Sequence, residues 1–130
     1  MKSYTDIEQS KKLAEILQIE SADMYCEWSN KKVHFKDDIY NGMGISCWSL
    51  AALLNLLPNE ISTGEKYCDK YQIDIRKYDG GDNTTLYQIA YGNNRGFSGS
   101  WHDMINTSEK ESAIDACYEM ILKLHELKML

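Results

Sequence analysis

Tyr71-Gln72-Ile73-Asp74-Ile75-Arg76-Lys77-Tyr78-Asp79-Gly80-Gly81-Asp82-Asn83-Thr84-Thr85-Leu86-Tyr87-Gln88-Ile89-Ala90-Tyr91 is the stretch that decides the fold. Successive side chains of a strand point to opposite faces, and from Tyr67 to Tyr78 the residues obey that period, with Tyr71, Ile73 and Ile75 against Gln72, Asp74 and Arg76. Asp79 to Asn83 holds the residues that tolerate turn geometry. The run after it alternates again, with Tyr87, Ile89 and Tyr91 against Gln88 and Ala90. Two alternating runs around such a turn predict an antiparallel hairpin with one covered face and one wet face.

Working outward, the loop Gly92 to Ser100 separates this hairpin from a short strand expected near Trp101 to Ile105. That loop is glycine-bearing but lacks the Gly-Lys-Ser or Gly-Lys-Thr ending that a phosphate cradle requires. A helix follows, in which Ile114, Cys117, Ile121 and Leu124 recur at spacings of three and four, with Ser108 and Glu111 as its expected capping box. Glu119 and Lys123 lie on its opposite face in the favourable order for an ion pair.

Toward the N-terminus, Cys47 to Leu57 is apolar almost all round and stops at Pro58, which predicts a central, enclosed helix over about residues 47–57. Met24, Cys26 and Trp28, then Val33 and Phe35 flanking His34, predict a short hairpin with one buried face. Thr5 with Glu8 predicts a capping box for a first helix that carries Ile7, Ala14 and Leu17 on one face and ends near Gln18. Three helices and an antiparallel sheet with no repeat or linker make the expected fold α+β, in one globular domain spanning 1–130.

Composition limits the function classes. In 130 residues, 43% apolar and 11% aromatic side chains supply enough core material to exclude disorder. Fourteen basic residues against twenty acidic ones give a net charge of −6 without a basic stripe, so no nucleic-acid partner is expected, because phosphate binding needs clustered Lys and Arg. The opening MKSYTDIEQSKK has no signal-peptide core, and the most apolar run, Trp48 to Leu57, is too short to span a bilayer. No membrane contact is therefore expected, and a cytoplasmic location with reduced Cys26, Cys47, Cys68 and Cys117 is. His125-Glu126 is followed by Met129 where a zinc-protease helix has its second His, so neither metal nor cofactor is expected.

The segments Glu8 to Leu17, Glu20 to Met24, Cys47 to Leu54 and Asp115 to Leu124 resemble a family of short uncharacterised proteins of gut Bacteroidales, found near phage-derived or mobile elements. The resemblance implies a bacterial or phage-related protein and carries no activity or site residue with it.

Two readings of function remain open in the residues. Gly44-Ile45-Ser46-Cys47-Trp48-Ser49 resembles the nucleophile segment of papain-like peptidases, although it lacks the upstream glutamine. That resemblance implies Cys47 as nucleophile, its thiol activated at a helix N-terminus, with His102 as base and Asn106 or Asp103 orienting the ring. The other reading makes Cys47 a space-filling thiol and the protein a non-catalytic interaction or regulatory module. Its contact residues would be Tyr87, Tyr91, Arg76 and Arg95 on the hairpin and adjoining loop, and its partner another protein or a second copy of itself.

Overall fold

The computed structural model describes residues 2–37, 44–64, 70–94 and 99–130. The chain divides into two compact units, Met1–Leu56 and Leu57–Leu130. Both combine helix with antiparallel strands, so the α+β class holds, but the strands form two sheets and not one.

In the first unit, helix α1 (Ile7–Ile16) is capped by Asp6, whose carboxylate accepts from Gln9 N–H at 2.8 Å while the Gln9 side chain accepts from Asp6 N–H at 3.1 Å. The box sits one residue later than Thr5 and Glu8 because Thr5 is engaged elsewhere. Its buried hydroxyl accepts from Trp48 N–H at 3.0 Å and bonds the Ser10 hydroxyl at 2.8 Å. Strands β1 (Met24–Cys26), β2 (Val33–Phe35) and β3 (Ile45–Cys47) make an antiparallel sheet in the order β2-β1-β3, with Met24 opposite both Phe35 and Cys47. Met24 and Cys26 are buried as expected, whereas Trp28 and Phe35 are 60% and 67% exposed.

Helix α2 is Leu50–Leu56, shorter than the 47–57 expected. Its start is set from 26 residues upstream: Ser49 N–H and its hydroxyl both donate to the Asp23 carboxylate, and the Ser49 hydroxyl accepts from Ala52 N–H at 3.2 Å. Ser46 and Cys47 are thereby left in strand β3. The helix is not enclosed all round, since Ala52 and Leu53 are buried while Ala51, Leu54 and Asn55 are exposed.

In the second unit, strands β4 (Glu60–Ser62), β5 (Lys70–Gly81), β6 (Thr84–Asn93) and β7 (His102–Asn106) pair antiparallel in sequence order. The β5–β6 hairpin closes through Asp82 and Asn83, both at positive φ, which suits the twist of the strands and which short polar side chains accept. Helix α3 (Ala113–Glu126) packs on β6 and buries Ile114, Ala116, Cys117, Met120, Ile121 and Leu124 over Ile89 and Tyr91. Its cap is Ser112, which accepts from Asp115 N–H at 3.3 Å. Ser108 cannot cap because Lys110 is held in an extended bridge to Tyr87, with N–H···O distances of 2.6 and 2.8 Å, so the helix cannot begin before residue 112. Ser108 N–H donates instead to Glu119 at 3.0 Å.

Candidate interaction surface

Backbone groups of a strand alternate in direction, and the hydrogen bonds of β5 fix which residues face which way. Ile73 N–H donates at 3.0 Å to the Asn59 carbonyl, away from β6, so Ile73, Ile75, Lys77 and Asp79 all turn their N–H and C=O outward. On the far side of β6, Tyr87 and Ile89 face away from β5, toward Lys110 and Thr107. Only the first three residues of β5 are matched by β4, in the pairs Glu60–Gln72, Ile61–Tyr71 and Ser62–Lys70. Beyond Ile73, no described residue pairs with the outer edge of β5. The strand has twelve residues, and among the described residues the stretch from Asp74 to Asp79 is a sheet edge with Ile75 56% exposed beside it.

Arg76 lies on the polar face of this strand, and four of the five N–H donors of its guanidinium are engaged. Nε donates to Asp74 at 2.7 Å, Nη1 to Asp103 at 2.8 Å and Gln88 at 3.2 Å, and Nη2 to Asp103 at 2.5 Å. Asp103 also accepts from Trp101 Nε1 at 2.6 Å and Asn106 Nδ2 at 3.2 Å, and Tyr78 donates to Gln88 at 3.0 Å. These bonds, with Arg76 foremost, hold the Asp103 carboxyl down at about 2, while Asp103 pushes the Arg76 guanidinium further up. Gly92 lies beneath the network, and a Cβ there would collide with the His102 carbonyl and the Trp101 ring. Arg76 is therefore a structural tie between β5 and β7 and not an open ligand contact.

The other expected contact residues separate. Tyr91 is a core residue, fully buried, with its hydroxyl donating to the Pro58 carbonyl at 2.6 Å and its pKa raised by burial. Alternation had shown which tyrosines share a face without showing that α3 covers it. Tyr87 is half-buried on that face and its backbone is closed by Lys110. Arg95, like Tyr67 and Cys68, lies outside the described residues. The residues missed are Ile75, Lys77, Tyr78 and Asp79; the alternation contained them, but the shortness of β4 that exposes their edge has no local signature.

The cysteine reading required a thiolate at a helix N-terminus. Cys47 is 2% exposed and lies in β3, not at a helix N-terminus. Burial, with Cys26 and Asp23 nearby, pushes its thiol up to about 11, away from the thiolate a nucleophile needs. It lines a cavity of about 470 Å³ with Tyr4, Ile7, Cys26, Val33 and Ile45. His102, exposed at the start of β7, belongs to the other unit, and the Asn106 amide donates to Asp103. Cys26, Cys47 and Cys117 are free thiols. Among the described residues, no three His, Cys, Asp or Glu side chains gather as metal ligands, and no helix is long and apolar enough to cross a membrane. Comparison with protein-family models, curated proteins and solved structures gives no match.

Proposed function

We propose that this chain is a small protein-interaction module that binds through the outer edge of β5, without catalytic chemistry of its own. The observation that supports the reading is the mismatch between a twelve-residue strand and a three-residue neighbour, which leaves outward N–H and C=O groups over Asp74 to Asp79. Unmatched strand edges bind by adding a strand, with main-chain hydrogen bonds supplying affinity and alternate side chains supplying selectivity. Ile75 on one face of the strand and Tyr78 on the other are both exposed and add apolar area to such a contact.

Amide hydrogen exchange at Ile75, Lys77 and Asp79 tests it. These three amides exchange fast in dilute purified protein and become protected in concentrated extract of the source cells. Exchange that stays fast in both, while β5 amides facing β6 are protected, would remove the basis for the reading.

A further inference from the structure

We infer that the strand added to β5 is the β5 of a second copy of this chain, an inference that rests on the strand-pairing reading above. Because the outward groups belong to odd-numbered residues, hydrogen-bonded partners across a two-fold axis must both be odd. Three registers place the centre of the strand against itself. An axis at Lys77 sets Lys77 opposite its own copy, and like charges directly opposite are unfavourable. An axis at Arg76 sets each Lys77 opposite Ile75 of the other copy, where its charge has no counterpart.

An axis at Tyr78 has neither fault. It places Lys77 of each copy opposite Asp79 of the other, in two equivalent pairs that each exchange both backbone hydrogen bonds. Tyr78 then meets Tyr78 of the second copy in the closer, non-hydrogen-bonded position, where aromatic side chains gain most.

The side chains are ready for this register. The Lys77 ammonium has no partner among the described residues. Asp79 uses one oxygen to accept from Gly81 N–H at 2.9 Å and leaves the other open. Lysine on an edge strand usually discourages pairing. Here it opposes one register, lacks a counterpart in another and is neutralised in the third, so the same residue that blunts aggregation selects one symmetric dimer.

Sedimentation velocity over a concentration series tests the inference with variants that separate association from folding. Lys77→Pro removes one outward N–H and none that faces β6, so it keeps its melting temperature to within a few degrees and loses dimer. Lys77→Asp sets Asp against Asp79, and Asp79→Lys sets Lys against Lys77, so each variant alone dimerises at least about tenfold more weakly. Mixed together, the two variants carry complementary charges across both pairs and form a heterodimer. A wild-type chain that stays monomeric, a Lys77→Pro dimer of unchanged affinity, or a mixture that fails to associate overturns the inference. If the chain is monomeric and the Ile75 and Lys77 amides are nevertheless protected in extract, the occupant is a different protein and only the self-pairing fails. If they are unprotected, the strand-pairing reading fails with it.

Discussion

Asp103 accepts from Arg76, Trp101 and Asn106 at once, so one carboxylate joins β5 to β7 across the bulged end of β6. Its pKa is lowered from 3.8 to about 2, which means that the folded state holds the ionised form. The stabilisation is therefore present above about pH 4 and is lost as pH falls from about 4 to about 2, and at this partly open site it amounts to about 1–2 kcal/mol. Asp103→Asn should lower stability at pH 7 by that order and flatten the acid limb of the urea midpoint against pH; an unchanged limb would place the titration elsewhere. Cys47 shifts the opposite way, from 9.0 to about 11, so its contribution is complete below pH 9 and is lost between about 9 and 11 as only the unfolded thiol ionises. In native protein at pH 7.5 Cys47 should resist iodoacetamide while denatured protein labels fast, as peptide mass spectrometry can read. Fast native labelling that is lost in His102→Ala would restore the cysteine-hydrolase reading.

At the scale of the element, α2 separates two neighbouring leucines that the sequence presents as equals. Leu53 is fully buried and Leu54 is 36% exposed, so Leu53→Ala should cost about 2–5 kcal/mol in a denaturant titration and Leu54→Ala less than about 1 kcal/mol. Equal losses would mean that the helix is enclosed on both sides. The same helix marks the limit of what the sequence discloses. Periodicity announced β5, β6 and α3, because each repeats its pattern over ten or more residues. It did not announce that α2 begins after Ser49, because the decisive partner is Asp23, which is distant in sequence and joined only by the fold. The caps at Asp6 and Ser112 were displaced for the same reason: Thr5 was claimed by Trp48 and Lys110 by Tyr87. The interaction edge was half legible. The alternation named its strand, while the brevity of β4 and the occupation of Arg76 by Asp103 are long-range facts.

At the scale of the whole molecule, net charge acts on self-association against the local pairs that favour it. Each copy carries −6, and two such charges at ~30 Å in water of dielectric ~80 repel by about 5 kcal/mol before screening. A Debye length of about 30 Å at 0.01 M salt leaves about a third of that repulsion, and one of about 8 Å at 0.15 M leaves almost none. The two Lys77–Asp79 contacts, worth about 0.2–1 kcal/mol each, lie in direct contact and lose less over the same change. Long-range repulsion therefore dominates at low salt, so the dimer should tighten by about fivefold to tenfold between 0.01 and 0.15 M sodium chloride. From 0.15 to 1 M only the local pairs remain to be screened, and the affinity should level off or fall slightly. Sedimentation equilibrium across the series reads the curve directly. A dimer that weakens steadily from the lowest salt would mean that ion pairs, and not the backbone ladder of β5, supply most of the association.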